Sequence, residues 1–296
     1  MSRHQFGELR SFAWGIYMPT RSSVSRFFPA MLGLFAGLAV SGSALADATL
    51  DKIQERHRLV VGVLLSGGPF GSIDPATQKP KGANVDLAED LGRRLGVEVE
   101  LVSVLTANRV QFLQQGKVDL LIANMEWTPE RGQILGSVPT PFYKVGGTAV
   151  VLKDSKITRW EDLKGQPVCT SQGSSYIKPL TGFGAELKAF KSSAESLLAL
   201  RGNNCVAAVH DATLINPLLA SNEEWKGYRA ILPELNPAPS VIWTRLGETD
   251  TQARLDSIVK DWHRTGWLIE VEKRHNITPA SPALVELHEQ FKAKGA

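Results

Sequence analysis

The fold of this protein is decided by the stretch GKVDLLIANMEWTPER, residues 116–131. Gly116 is typical of the C-terminal cap of a preceding helix. Residues 118–123 form a continuous apolar run, which is typical of a strand buried on both faces of a parallel sheet. Because open α/β sheets bind ligands beyond the carboxyl ends of their strands, the residues just after Ala123 are placed at a candidate site.

The sequence upstream of this stretch alternates strand and helix patterns. The predicted elements are a strand at 59–65, a helix at 84–95 capped by its first residue, a strand at 97–104, and a helix that begins near 107 and ends at 116. This strand-helix-strand-helix-strand order predicts an open, mostly parallel sheet with helices packed against it.

The sequence downstream repeats the same theme. The predicted elements are a strand at 149–152, a short helix at 160–163, a strand from 168, a helix after 172–175, a helix at 193–202, a strand at 206–210 and a helix opened by Asp211. A strand at 241–243 and helices at 250–265, 266–275 and from 281 follow. The predicted fold class is therefore α/β with two sheets of similar construction.

The N-terminal 46 residues have the features of a secretory signal peptide. Two arginines precede an apolar segment at 27–40, and residues 44–46 form a small-residue cleavage motif. We expect cleavage after Ala46 and export to the periplasm, and either Met1 or Met18 could be the start. The alternative is an uncleaved N-terminal anchor.

The charge balance changes when that segment is set aside. The full sequence has 33 basic and 30 acidic residues and a net charge of +3. The first 46 residues contain four arginines and one glutamate, so the remainder has 29 basic and 29 acidic residues. This neutral balance gives no support for nucleic-acid binding. The six histidines are scattered without metal-ligand spacing, so we expect neither a metal nor a cofactor.

The chain has only two cysteines, Cys169 and Cys205. An even pair in a protein that is predicted to be exported indicates one disulfide bond. Such a bridge would stabilise the fold by roughly 4 kcal/mol on the loop-entropy model. The alternative is two buried free thiols.

Several short motifs resemble the polar amino-acid branch of the bacterial extracellular solute-binding proteins. Each motif is weak alone, but their order and spacing over residues 55–277 make the resemblance specific. The motifs are RLVVGV at 58–63, PF at 69–70, Gly82 followed by VDLA at 85–88, NR at 108–109 followed by LQQGKVDL at 113–120, TPER at 128–131, PFY at 141–143, WEDLKG at 160–165 and GWL at 266–268.

The resemblance implies the two-lobed type II periplasmic-binding-protein fold, in which two strands join the lobes and a ligand cleft lies between them. Lobe 1 would comprise residues 47–148 and 241–296, and lobe 2 would comprise residues 149–240. Hinge closure around an amino acid would then present the closed form to the membrane permease of an ABC transporter. We expect the protein to act as a monomer.

The resemblance also assigns two charged residues to the ligand. Arg131 is similar to the family arginine that pairs with the α-carboxylate, and its planar guanidinium can make two parallel hydrogen bonds to it. Asp211 is similar to the family acid that accepts hydrogen bonds from the α-ammonium. For Asp211 a role as helix N-cap is the alternative, and for Arg131 the alternative is a solvated turn.

Four further polar residues are candidates for the cleft. Ser174 and Ser175 are similar to family residues that face a carboxylate in front of a helix, although they could simply cap that helix. Asn124 could present its carbonyl to the ammonium or could be a strand-end turn residue. Arg109 resembles the arginine of acidic and amide amino-acid binders, and its alternative is exposure to solvent.

Glu126 is the main departure from the family pattern, because that position usually holds Ser or Thr. A carboxylate there should repel a ligand carboxylate unless Arg131 or a proton compensates. A modified or non-standard ligand is therefore kept open beside a polar, acidic or amide amino acid. An enzyme on the same fold, such as a dehydratase with Glu126 as general acid or base, and a ligand-sensing receptor component are the other functions that the sequence allows.

Overall fold

The computed structural model describes residues 47–66, 68–230, 232–277 and 281–294 of the 296-residue chain. The predicted signal peptide lies outside the described residues, so cleavage after Ala46 stays a prediction. Within the described ranges, no helix is both long enough and apolar enough to cross a membrane.

The described chain alternates strands and helices, as the sequence predicts. The strands are β1 (Arg58–Leu64), β2 (Ser72–Ile73), β3 (Pro80–Lys81), β4 (Glu98–Val104), β5 (Leu120–Ile122), β6 (Gly136–Ser137), β7 (Tyr143–Leu152), β8 (Pro167–Ser171), β9 (Glu186–Phe190), β10 (Ala207–Asp211), β11 (Tyr228–Arg229), β12 (Leu235–Ser240) and β13 (Trp243–Thr244). The helices are α1 (Ala48–Glu55), α2 (Ala83–Leu95), α3 (Arg109–Gln114), α4 (Pro129–Gly132), α5 (Ile177–Gly182), α6 (Ser193–Arg201), α7 (Ala212–Ser221), α8 (Thr249–Thr265), α9 (Trp267–Arg274) and α10 (Pro282–Lys294), with 3-10 turns at Trp160–Leu163 and Glu223–Trp225.

The first sheet has the strand order β4-β1-β5-β13-β6. β4, β1 and β5 are parallel, and β13 is antiparallel to both of its neighbours. Successive residues of β1 pack into opposite cores: Val61 joins the cluster that contains Trp262, and Val60 joins the cluster that contains Trp243. Both faces of the sheet are therefore covered, which explains the continuous apolar sequence of β1.

The second sheet has the order β11-β7-β10-β8-β9, and β12 also pairs with β7. β10, β8 and β9 are parallel, whereas β7 is antiparallel to β10. The predicted disulfide bond is confirmed: Cys169 on β8 is bonded to Cys205, two residues before β10, with a Cα–Cα distance of 5.7 Å. The bond connects β8 to the segment just before its neighbouring strand β10.

Two short segments, 138–142 and 241–242, connect the two sheets. They run side by side: Val138 N–H donates to the carbonyl of Ile242 at 2.9 Å, and Phe142 N–H donates to the carbonyl of Ser240 at 3.0 Å. The fold is thus the predicted pair of α/β units joined by two extended connections. The lobe boundaries proposed at 148 and 240 stay a prediction.

The structure corrects some local expectations. Gly82, not Asn84, is the N-cap of α2, because its φ of 132° suits only glycine. Asn84 lies inside the first turn, is buried, and donates its side-chain N–H to Asn124. β12 was not predicted, because its sequence, LNPAPS, contains two prolines and lacks an apolar alternation.

Candidate ligand-binding site

A cavity of about 60 Å³ lies between the carboxyl ends of strands from the two sheets. Leu64 at the end of β1 and Ser171 at the end of β8 line it, together with Asp211 at the end of β10. Asn124 lines it from just beyond β5. This is the location that the strand order of an open α/β sheet predicts for a ligand.

Seven residues were predicted from the sequence to bind the ligand, and the structure brings them together. The five that line the cavity are Arg109, Asn124, Glu126, Ser174 and Asp211. Arg131 and Ser175 are not among its lining residues, and both contact Glu126 instead. The predicted residues therefore form one cluster, but two of them, Arg131 and Ser175, do not line its cavity.

Glu126 is held by residues from both halves of the molecule. Nη1 of Arg131 donates to Oε2 of Glu126 at 3.0 Å, and Oγ of Ser175 donates to the same oxygen at 3.1 Å. The Glu126 side chain is only 4% exposed and that of Arg131 is 12% exposed. Nη2 of Arg131 donates across the cleft to the carbonyl of Gly173 at 2.9 Å. Arg131 therefore makes an internal ion pair with Glu126.

Asp211 forms the second acidic group of the cavity. It occupies the N-cap position of α7, but its side chain makes no capping hydrogen bond. Instead, the hydroxyl of Tyr176 donates to Oδ1 of Asp211 at 2.8 Å. Burial of the carboxyl, and after it the charge of Glu126, raises the pKa of Asp211 to about 7. The protonated Asp211 carboxyl shares a hydrogen bond with Glu126, so the two form a carboxyl–carboxylate pair.

Arg109 is the cationic residue that faces the cavity. It begins α3, is 3% exposed, and donates from Nη1 to the carbonyls of Ala123 at 2.5 Å and Asn124 at 3.1 Å. Its Nε is buried without a hydrogen-bond partner. Burial, followed by the nearby charge of Arg131, lowers the pKa of Arg109 to about 10. The guanidinium therefore stays charged at neutral pH, and the solvent-exposed alternative for this residue is wrong.

Asn124 and Ser174 make mainly structural contacts around the cavity. Asn124 has a φ of 45°, in the left-handed region that asparagine tolerates better than most residues, and its Oδ1 accepts from Asn84 at 2.6 Å. Oγ of Ser174 accepts from the N–H of Tyr176 at 3.2 Å. Tyr176, rather than either serine, is the N-cap residue of α5.

Among the residues that sequence reasoning missed are Tyr176, which lines the cavity, and Asn84, which contacts Asn124. Tyr176 follows the predicted serine pair directly, so its place in front of α5 was a signal that it could reach the cleft. Asn84 was interpreted as a cap. In the structure it lies on the buried face of α2, where its side chain contacts Asn124. No group of three or more His, Cys, Asp or Glu side chains within the described ranges is arranged to hold a metal.

Several contacts join the two sides of the cavity. Oγ of Ser66 lies 3.3 Å from Oγ of Ser193, and Nζ of Lys178 lies 3.2 Å from Oε1 of Glu130. These contacts, with the Arg131–Gly173 hydrogen bond, join helices and loops that follow strands of different sheets. The cavity is therefore bounded by residues that follow strands of both sheets.

The fold and the position of the cavity define a class of two-unit α/β binding proteins. The profile of the bacterial extracellular solute-binding proteins, family 3, matches residues 59–277. Because this match covers more than half of the chain, the protein belongs to that family. The resemblance that the sequence motifs indicate is thereby confirmed.

Individual relatives are binding proteins. The chain is 33% identical to a glutamine-binding protein of Geobacillus stearothermophilus over 56% of this chain and 66% of that protein. It is 24% identical to an ABC transporter glutamine-binding protein of Bacillus subtilis (strain 168), over 81% and 94% of the two chains. A solute receptor for L-cysteine of Neisseria gonorrhoeae has a similar structure, with a TM-score of 0.72 and 27% identity over 77% of this chain and 93% of that chain.

Proposed function

We propose that this protein is the periplasmic substrate-binding component of an ABC uptake transporter and that it binds a polar amino acid, standard or modified, in the cavity. The observation that carries the proposal is the arrangement of opposite charges around one cavity. Arg109 supplies a buried cation, and Asp211 with Glu126 supplies an acidic pair. An amino acid carries one carboxylate and one ammonium, and these groups match such a site.

Closure of two lobes is the mechanism that fits this site. The two connections at 138–142 and 241–242 are short and hydrogen-bonded to each other, so they can flex together as a hinge. The contacts of Arg131 with Gly173 and of Ser66 with Ser193 would open with the cleft. A bound ligand would stabilise the closed form, which the permease would then recognise.

The family membership and the names of the relatives support this proposal. Glutamine is the ligand named for two of them and L-cysteine for a third. Both are small α-amino acids with a polar side chain. The relatives are named as binding proteins or receptors, which favours stoichiometric binding over turnover for this chain.

Calorimetry on the purified protein with a panel of standard and non-standard amino acids tests the proposal. We expect saturable binding of at least one of them, and we expect Asp211→Asn to weaken it because the ammonium loses its carboxylate. Glu223→Gln is the matched control, since Glu223 is exposed, pairs with Lys226 one turn away, and does not line the cavity. If no amino acid binds the wild-type protein, the proposed ligand class is wrong.

A periplasmic enzyme on the same fold is the second candidate, and the carboxyl pair of Glu126 and Asp211 is the observation that favours it. Two neighbouring carboxyl groups, of which one, Asp211, has a raised pKa, can act as general acid and general base. Incubation of the protein with the ligands that bind, followed by mass spectrometry, distinguishes the two functions. Recovery of unchanged ligand supports binding alone, and a dehydrated or otherwise altered product supports catalysis.

A further inference from the structure

We infer that the ligand is an ω-amino acid, in which the carboxylate and the ammonium are attached to different carbon atoms, and that Glu126 selects for it. This inference rests on the proposed function, since it names the class of amino acid that the same cavity takes. Three observations carry it: the pairing of Glu126, the unpaired donor of Arg109, and the charge balance of the cavity.

The first observation concerns the donors beside the acidic pair. Nη1 of Arg131 and Oγ of Ser175 both donate to Oε2 of Glu126. A ligand carboxylate at this place would have to displace a carboxylate that is already buried and hydrogen-bonded. The protein thus carries its own carboxylate where these donors converge, and a second carboxylate there would be repelled.

The second observation concerns the guanidinium of Arg109. Nε of Arg109 is buried and has no hydrogen-bond partner. The whole residue is only 3% exposed, so water does not replace that partner. Buried donors in folded proteins are nearly always paired. The guanidinium lines the cavity and its described hydrogen bonds go to backbone carbonyls, not to a carboxylate. A ligand carboxylate would supply both the missing acceptor and the missing negative charge.

The third observation is the charge balance of the four ionisable groups. Arg109 and Arg131 are positive and Glu126 is negative; a ligand ammonium that takes the place of the proton between Asp211 and Glu126 leaves Asp211 negative as well. A ligand with one ammonium and one carboxylate leaves the sum at zero, whereas a simple amine or a simple acid does not. The ammonium would bind between Asp211 and Glu126, and the carboxylate would bind at Arg109.

The position of the carboxylate on the ligand follows from this division. In an α-amino acid the carboxylate is attached to the carbon that bears the ammonium, so it lies close to whatever binds the ammonium. Here that place is beside Glu126. Arg131 could neutralise a ligand carboxylate there, but it already forms an ion pair with Glu126. In an ω-amino acid one or more further carbons separate the two groups, so the carboxylate can turn toward the unpaired Nε of Arg109 while the ammonium stays between Asp211 and Glu126.

Two pairs of isomers test the inference in calorimetry on the wild-type protein: γ-aminobutyrate against L-α-aminobutyrate, and β-alanine against L-alanine. Members of a pair have the same atoms and charges and differ only in the carbon that bears the ammonium. We expect an ω isomer to bind tighter than its partner by about tenfold or more, because like charges placed together at a binding site are strongly unfavourable. Tighter binding of the α isomers overturns the inference and leaves amino-acid binding intact.

The variant Glu126→Thr makes the converse test. It removes the internal carboxylate and frees Arg131 and Ser175, so we expect the preference to move toward the α isomers. Glu223→Gln, at the surface and away from the cavity, should keep the wild-type preference. An unchanged preference in a folded Glu126→Thr protein contradicts a selecting role for Glu126.

Butylamine provides a measurement that needs no variant, because it is γ-aminobutyrate with a methyl group in place of the carboxylate. We expect it to bind the wild-type protein about tenfold more weakly or worse, since Arg109 then has no anion to pair with. Equal binding of butylamine and γ-aminobutyrate would show that Arg109 does not bind the ligand carboxylate. If none of these compounds and none of the standard amino acids binds, the proposed function itself fails.

Discussion

The side chain of Glu126 accepts a hydrogen bond from Nη1 of Arg131 at 3.0 Å, and both side chains are nearly excluded from solvent. Removing one partner of a buried ion pair leaves the other charge uncompensated, which typically destabilises by several kcal/mol. The two residues are five positions apart, and α4 begins between them. Their pairing therefore connects α4 to the segment that follows β5.

We accordingly predict that Arg131→Ala destabilises the ligand-free protein by about 3 kcal/mol, because Glu126 stays buried without its cation. Urea denaturation followed by circular dichroism measures the change. The double variant Arg131→Ala with Glu126→Thr should recover part of the loss, since the unpaired carboxylate is gone. If the double variant is less stable than the single one, the ion pair is not the cause.

The position of the cavity could be predicted from the sequence, because open α/β sheets bind ligands beyond the carboxyl ends of their strands. Asn124 and Asp211 each come directly after, or at the end of, an apolar strand, and parallel strands place their carboxyl ends together. The charged residues of the cluster were also predicted one by one. What the sequence could not show is which of these charges would pair with each other.

That pairing depends on contacts between distant parts of the chain. Ser175 reaches Glu126 from 49 positions away, and Tyr176 reaches Asp211 from 35 positions away. No local pattern encodes such contacts: the first joins segments that follow strands of different sheets, and the second joins segments at the ends of the neighbouring strands β8 and β10. For the same reason β12 was missed: its pairing with β7, not its proline-containing sequence, makes it a strand.

Reduction of the Cys169–Cys205 bond is predicted to lower the free energy of unfolding by roughly 4 kcal/mol, because the bond restricts the unfolded chain. Denaturation in the presence and absence of a reductant measures this difference. A Cys169→Ala, Cys205→Ala double variant is the control and should not respond to the reductant. A wild-type protein that melts at the same temperature with and without reductant contradicts the prediction.

Asn124 combines a backbone role with a side-chain role, and two substitutions separate them. Its φ is 45°, and its Oδ1 accepts a hydrogen bond from Asn84. Asn124→Gly keeps the backbone conformation but loses the hydrogen bond, which should cost about 1 kcal/mol. Asn124→Ala loses the bond and also forces a left-handed alanine, so we expect a loss of about 2 kcal/mol. Equal stability of the two variants in urea denaturation would show that the backbone conformation carries no cost.

The carboxyl of Asp211 gives the protein a pH dependence whose sign can be worked out. Burial and the charge of Glu126 raise its pKa in the folded protein to about 7, from an ordinary value of 3.8. Between these pH values the folded protein holds a proton that the unfolded chain has released. Stability from this group is therefore fully present below about pH 4 and is lost as the pH rises through about 7.

Urea denaturation of the wild-type protein and of Asp211→Asn across this pH range measures the contribution. Asparagine does not titrate, yet its amide can still donate to Glu126 and its carbonyl can accept from Tyr176. The pKa of the buried His210 is lowered by burial, which both proteins share, and Arg109 stays charged throughout this pH range. We expect the stability of the wild type relative to Asp211→Asn to fall as the pH rises from about 4 to about 7. Parallel stability curves for the two proteins would mean that Asp211 ionises in the folded protein as it does in the unfolded chain, and that its carboxyl shares no proton with Glu126.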